Sequence, residues 1–370
     1  MSVRLATFNV ENLMNRFDFT GWRNDLTKDR SLGLFNIKDE MQYREMETAR
    51  VMGITDDTRQ LTALAIADTR ADILCLQEVD NLAALNAFEF GYLFRMVGDG
   101  YRQKYLIEGN DTRGIDVAVM MKEVTRDGER IEFVSLTSHA ALTFAELGLH
   151  TPALEAINIQ ANERIFRRDC LELDVLIGGK PLTLFVSHFK SKGGKRVGPD
   201  GLGDTLPVRV AEAKAVRHLL EEKFGKDGAA GRDWLFCGDF NDFTEKLVIT
   251  EEGDENYKFT SLPEPENAVS ILLEDGFCEN LVARRALDNR WTNYHTKGPQ
   301  ERQLTQVDYL LASPSLARKN AGAVPDIIRK GQPYRTIFPA GQEVARYPRV
   351  GWDRPKASDH CPVVMTFGLG

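Results

Sequence analysis

Several short stretches of this chain set a side chain able to bind a cation or move a proton at the edge of an apolar run. They are TFNVEN at Asn9, LQEV at Glu78, SHFKSKGGKR at His188, GDFND at Asp239 and Asn241, VDYLLAS at Asp308, and SDHCPV at Asp359 and His360. In GDFND a carboxylate and an amide stand two residues apart, directly after an apolar strand. If the strand continues, both point to one face and can hold a water and a phosphoryl oxygen side by side. Glu78 follows ADILCL directly, and a carboxylate at the end of a buried strand needs an arginine or a bound cation to face. With Asn9 the ligand set is all oxygen, which selects Mg²⁺, Mn²⁺ or Ca²⁺ over zinc.

His188 is followed by Lys190, Lys192, Lys195 and Arg196. That combines a general acid for a leaving alkoxide with cations that hold phosphate. His360 requires a carboxylate to fix its tautomer if it is to act as a base, and Asp308 can serve. Asp359 is then left to reach the metal. Each stretch also has a plainer reading: an Asx turn for GDFND, a salt bridge for Glu78, an exposed imidazole for His188. What favours a site is their recurrence at strand edges, where ligands of α/β sheets collect.

Other chemistries fit less well. A Cys361–His360 nucleophilic pair would put adjacent side chains of a strand on opposite faces and leave the other motifs without a role. The chain has six histidines and no H-x-x-x-H, which argues against zinc. Neither a G-x-x-x-x-G-K-[ST] loop nor a convincing G-x-G-x-x-G is present. The five cysteines are scattered without a C-x-x-C pair, so a disulfide framework is not expected. Cys75 and Cys237 lie in apolar runs and read as small buried hydrophobes.

The elements that must position these residues can be read coarsely. VRLATFNVEN, ADILCLQEV, IDVAVMMK, DWLFCGDFND, QVDYLLAS and CPVVMTF read as strands. DCLELDVLI alternates like a half-exposed antiparallel strand, and a Gly-Gly-Lys turn joins it to PLTLFVSHF as a hairpin. Asp57 to Ala67 has helical spacing with Asp57 as its cap, a second helix is expected near 80–90, and 208–223 is the clearest helix. Residues 15–50 read as an insertion or mobile cover, and 315–356, with five prolines and Pro314 just before it, as irregular.

The composition, 42% hydrophobic and 28% charged, is that of an ordinary soluble globular protein. No signal peptide and no apolar run of about 18 residues is read, so a cytoplasmic protein without a membrane span is expected. The net charge of −8 argues against nonspecific nucleic-acid binding, yet its distribution is uneven. Residues 188–209 carry five Lys or Arg against two acids, and 315–356 carry nine against three. Two basic stretches on an acidic body suit a locally held anion.

In order and spacing, TFNVENL, LQEV, RGIDVAVM, SHFKS, GDFND, QVDYLLAS and SDHCPV resemble the endonuclease/exonuclease/phosphatase superfamily from residue 3 to about 367. The superfamily includes deoxyribonuclease I-like nucleases, exonuclease III-type repair enzymes, sphingomyelinases and inositol polyphosphate 5-phosphatases. The resemblance implies an α/β four-layer sandwich, two packed mixed β-sheets flanked by helices, in a single domain over 1–370 with insertions near 15–55, 135–165 and 315–355. It implies Mg²⁺- or Mn²⁺-dependent phosphoester hydrolysis. Glu78 matches the principal metal ligand, with Asn9 and Asp359 contributing. Asp239 and Asn241 match the pair that orients water and phosphoryl group, His360 with Asp308 the catalytic imidazole, and His188 the second one. Arg168 matches a phosphate-binding arginine, joined by Lys190. Exonuclease III-type enzymes carry Tyr where His188 stands, which weakens an abasic-site repair reading.

The expected substrate is DNA or RNA, handled by a monomer. A small-molecule or lipid-headgroup phosphoester is the alternative, and a catalytically dead binding module is disfavoured by the intact motifs. Tyr334, Phe338, Tyr347 and Trp352, interleaved with Arg, could stack bases or anchor their loop to the body.

Overall fold

The computed structural model describes residues 1–13, 39–111, 114–192, 205–226, 228–253 and 256–370, the side chains of 43–56 excepted. Lys195, Arg196, Arg113 of the RGIDVAVM motif and most of the 15–55 insertion lie outside the described residues.

Among the described residues, two six-stranded sheets carry the fold. The first is built on β1 (Ser2–Leu13) and its parallel neighbour β2 (Ile73–Val79), with β3 (Gln103–Leu106) and β4 (Asp116–Met121) beyond. The second runs from β5 (Ile131–Ser138) through β6 (Cys170–Ile177), β7 (Lys180–His188) and β8 (Trp234–Asp239). A separate four-stranded antiparallel sheet contains β9 (Glu245–Gly253), β10 (Asn256–Pro263), β12 (Asn293–Thr296) and β13 (Arg302–Thr305). Two-residue β11 (Glu279–Asn280) and β14 (Asp308–Ala312) complete the second sheet. Two-residue β15 (Asp326–Ile327) and β16 (Val363–Gly368) complete the first.

Period-two alternation sorts the side chains into layers. Val3, Leu5, Cys75, Val117 and Val119 of the first sheet pack against Leu173, Leu184, Val186, Cys237 and Leu310 of the second. The outward residues Phe8, Leu74, Leu76 and Met120 bury against Leu61, Ile66, Phe88 and Leu93 of the first sheet's helices. On the other side Phe185, Trp234, Phe236 and Tyr309 bury against Val208, Ala215, Val216 and Leu220 of the helix Leu206–Phe224. The result is the expected helix–sheet–sheet–helix sandwich. Each fully buried aliphatic or aromatic side chain contributes about 1.5–3 kcal/mol. No helix among the described residues is long and apolar enough to cross a membrane.

Several local expectations need correction. The helix expected from Asp57 begins at Glu40, capped by Asp39, so Asp57 lies inside it. Strand β6 is not half-exposed: Glu172 and Asp174 on its outer face both pair with Lys223 Nζ, at 2.6 and 2.8 Å. The four-stranded sheet was not read from the sequence at all. Residues 135–165 contain the end of β5 and a helix, Pro152–Ala156, whose Leu154 joins the second sheet's outer core. The 315–356 stretch is irregular apart from the helix Pro314–Lys319 and β15. Its Phe338 and Tyr347 are buried anchors, Tyr347 donating to Asp68 Oδ2 at 2.9 Å.

Candidate active site

Adjacent strand ends from both six-stranded sheets converge on one point. His188 ends β7 and Asp239 ends β8, and the two are register partners in the parallel pair. Asp308 begins β14 and is the antiparallel partner of Asp239. The close β7–β8 approach explains the glycine of GDFND. Gly238 has φ +143, and a Cβ there would run into the Ser187 carbonyl oxygen.

Glu78 reaches the same point through a bulge. Gln77 pairs with Asn9 and with Val117, but the register shifts before Val79 on both sides. Glu78 is the extra residue, at φ 67, which turns its carboxylate out of the strand alternation. Asn9 Nδ2 then donates to both Glu78 Oε1 (3.2 Å) and Asp239 Oδ2 (3.0 Å). Its Oδ1 accepts the Glu11 N–H at 3.0 Å, while Glu78 Oε2 accepts the Asn12 N–H at 3.0 Å.

Asp239 Oδ2 is the hub. His188 Nε2 lies 3.4 Å away, Asn241 Nδ2 3.2 Å and His360 Nε2 3.8 Å. Strand geometry does not persist to Asn241, which takes φ 49. The two side chains meet through an Asx turn instead, with Asn241 N donating to Asp239 Oδ1 at 2.8 Å. Turn and site are therefore the same structure here.

The His360 ring is held on its far side, Nδ1 standing 2.9 Å from Asp308 Oδ2. Ser358 Oγ donates to the Asn9 carbonyl at 2.7 Å and accepts the His360 N–H at 3.0 Å, tying SDHCPV to TFNVEN. In the sequence, the only signal for Ser358 is its place two residues before His360. Asp359 sits at the mouth, its side chain 44% exposed and Oδ1 3.9 Å from His360 Nε2. Glu11 also lies there, paired with Arg354 and with Lys356 (3.1 Å), although FNVEN had drawn attention only to Asn9. Cys361 faces away into the core around Trp291 and Phe338, where burial pushes its thiol well up. That removes it as a nucleophile.

Arg168 is buried. Its Nε lies 2.8 Å from Asp111 Oδ2, and its Nη1 donates to the Phe189 carbonyl at 2.9 Å. The same carbonyl accepts Asn241 Nδ2 at 3.1 Å. Lys190 Nζ lies 3.3 Å from Ser191 Oγ. Its N–H donates to Glu212 Oε2 at 2.8 Å.

Electrostatically the point is acidic and largely buried. Burial pushes the Asp239 carboxyl up to about 7, with Asp308 adding to the effect and His360 opposing it. Burial disfavours the His360 imidazolium, but Asp308, Asp239 and Asp359 together overcome it and raise the imidazole well above its ordinary value. Ligand atoms of Asp239, Asp308 and His360 lie within 4.8 Å of one another, a buried acidic and imidazole cluster of the kind that can hold a metal ion. Beside it, Glu78 and Asp359 offer carboxylate oxygens, and the Asn9 amide holds Glu78 and Asp239 in place from Nδ2. A buried carboxylate that binds a proton this readily is one a cation would stabilise. The residues therefore fit a hard divalent ion.

Fold and site together define an α/β phosphoester hydrolase, with carboxylates, amides and imidazoles gathered at the ends of two packed sheets. The chain belongs to the Endonuclease/Exonuclease/phosphatase family, whose model matches residues 6–360, and it shares the metal dependence of that family's phosphoester hydrolysis. Among solved structures, a family protein from Bacteroides thetaiotaomicron is similar over 99% of this chain and 95% of its own, at 14% identity and a TM-score of 0.54. TDP2 from C. elegans is similar over 99% of this chain and 75% of its own, at 14% identity and a TM-score of 0.50. D. rerio TDP2, complexed with single strand DNA product, is similar over 99% of both chains, at 14% identity and a TM-score of 0.51. At these identities the likeness is one of fold. A search of curated proteins finds no match.

Proposed function

We propose that this protein hydrolyses phosphodiesters of DNA or RNA, by in-line attack of water at a phosphorus seated over Asp239. The observation that carries this reading is the hub itself: Asn9, His188, Asn241 and His360 all lie within 3.8 Å of one carboxylate oxygen. A group ready to take a proton near neutral pH, ringed by donors, is what a water nucleophile and a charged phosphoryl group require.

Asp239 takes the proton from the attacking water, and the Asx turn fixes its orientation. His360, kept charged by Asp308, donates from Nε2 to a phosphoryl oxygen. Asn241 donates to another. His188 gives its proton to the departing oxygen. Arg168 spends Nη1 on the Phe189 carbonyl that Asn241 shares, so in this reading it braces Asn241. Lys190, two residues beyond β7, would add positive charge for the phosphate. Glu78, Asn9 and Asp359 would hold a divalent cation, Mg²⁺ or Mn²⁺, which supplies Lewis-acid polarisation and charge neutralisation.

Nucleic acid is preferred as substrate because the basic residues concentrate in two stretches of an otherwise acidic chain, 188–209, which begins at His188, and 315–356, which ends three residues before Asp359. The D. rerio relative of this fold holds single strand DNA product. The test is cleavage of plasmid DNA, a labelled RNA and bis-(p-nitrophenyl) phosphate with Mg²⁺, Mn²⁺ or chelator. Metal-dependent cleavage of a nucleic acid supports the proposal. Turnover of the small diester alone keeps the site and transfers the substrate to small or lipid-headgroup phosphoesters.

A further inference from the structure

The four-stranded sheet and the 334–352 segment enclose an open groove of about 950 Å³, lined by Tyr257, Tyr294, Lys297, Arg302, Tyr334 and Trp352 among others. Trp352 is 73% exposed, more than any other large apolar side chain among the described residues, and Tyr334 is 55% exposed. These rings are not on slack chain. Tyr334 N donates to the Gly351 carbonyl at 3.0 Å and Arg335 N to the Trp352 carbonyl at 2.9 Å, so the two rings stand on paired segments. The Arg335–Asp353 ion pair, at 3.0 Å, locks the same two segments. Arg346 lies 5.4 Å from the Tyr334 ring centroid. An exposed indole held in place is a feature of a binding surface, since leaving it in water forgoes the gain of burying it.

The groove's walls are tied to the active site through short stretches of chain. Asn293, next to Tyr294, is bridged to His360 through the main chain and donates from Nδ2 to the Asp359 carbonyl at 3.1 Å. On the other wall, Trp352 is four residues from Lys356, at most about 14 Å of chain. Lys356 Nζ lies 3.1 Å from Glu11 at the site mouth. Lys297, Arg302 and Arg335 face the groove against Glu343, but each pairs with a carboxylate: Glu301 at 3.2 Å, Glu251 at 3.3 Å and Asp353 at 3.0 Å. The three cations are therefore neutralised by their partners, and the groove's dominant offering is aromatic faces.

We propose that this groove binds unpaired bases of a single-stranded nucleic acid whose phosphodiester lies in the site, with Trp352 and Tyr334 as stacking platforms. The proposal rests on the nucleic-acid reading above. Base faces are presented only by unpaired strands, and stacking on aromatic rings tolerates any sequence.

The experiment pairs Trp352→Ala/Tyr334→Ala with wild type. Affinity for a fluorescein-labelled single-stranded oligonucleotide and for its blunt duplex is read by anisotropy in chelator. Cleavage KM is then read with Mn²⁺. Wild type prefers the single strand, and the double variant loses roughly tenfold or more of that affinity. Turnover of bis-(p-nitrophenyl) phosphate, too small to reach the groove, stays at the wild-type level and shows that the variant is folded. Equal single-strand affinity and KM in variant and wild type overturn the groove proposal while leaving the nuclease reading intact, and so does a wild-type preference for duplex. A wild type that hydrolyses the small diester but neither binds nor cuts nucleic acid overturns both.

Discussion

Asp308 and Asp239 stand opposite one another on adjacent antiparallel strands, and the His360 imidazole spans them, 2.9 Å from the first and 3.8 Å from the second. One carboxylate orients the ring and the other receives its free edge. This division of labour follows from register: partners in an antiparallel pair share a face of the sheet.

Asp308→Asn keeps the shape of the pair but presents an amide to Nδ1. The expected outcome is a fall in kcat on the order of 10²–10⁴-fold, with a melting temperature within a few degrees of wild type. Steady-state kinetics and a thermal melt check it.

Glu78 occupies left-handed backbone at φ 67. A Cβ there costs about 1–2 kcal/mol. Glu78→Gly and Glu78→Ala both lose turnover, and the Gly protein is the more stable of the two by about 1 kcal/mol in urea unfolding. Equal stabilities would mean that the bulge is unstrained.

Gly238→Ala is expected to destabilise the fold by at least about 3 kcal/mol, because the new methyl meets the Ser187 carbonyl at φ +143. Soluble yield and denaturant midpoint report it. A variant as stable as wild type would show that β7 and β8 can separate.

Glu212 is buried on the helix Leu206–Phe224 and accepts the N–H groups of Arg167 (3.2 Å) and Lys190 (2.8 Å), clamping the chain beside Arg168 and after His188. Burial raises its carboxyl from 4.5 to about 7, against the pull of those N–H groups and of Arg168. Because the folded protein holds this proton more tightly than the unfolded chain, the contribution to stability is fully present below pH 4.5. It is lost as pH rises through about 7. The loss is on the order of 3 kcal/mol. Urea unfolding between pH 4 and 8 should show that decline, and Glu212→Gln should flatten it.

Much of this was legible in the sequence, for a physical reason. Strands such as ADILCLQEV and DWLFCGDFND are continuous apolar runs because both faces are covered, and a polar residue at their edge stands out. What escaped depends on partners distant in the chain. Glu172 and Asp174 read as solvent-facing until Lys223, some fifty residues on, arrives to pair with them. EKLVITEEG holds a three-residue apolar run and NYKFTSLP alternates only over its first half, so their acidic and polar residues concealed the four-stranded sheet. The meeting of Asp239 and Asn241 was anticipated by strand alternation, yet it is achieved by a turn at φ 49. Ser358 and Glu11 went unread because their roles lie in which backbone groups and cations they reach.

The most direct measurement is turnover of bis-(p-nitrophenyl) phosphate by wild type, Asp239→Asn, Asn241→Ala and His360→Ala, with Mn²⁺ and with chelator, alongside near-ultraviolet circular dichroism. The account predicts metal-dependent turnover by the wild type, and losses of roughly a hundredfold or more in each variant with an unchanged spectrum. A folded Asp239→Asn protein that turns over at near the wild-type rate would contradict it, because in this account that carboxylate takes the proton of the attacking water.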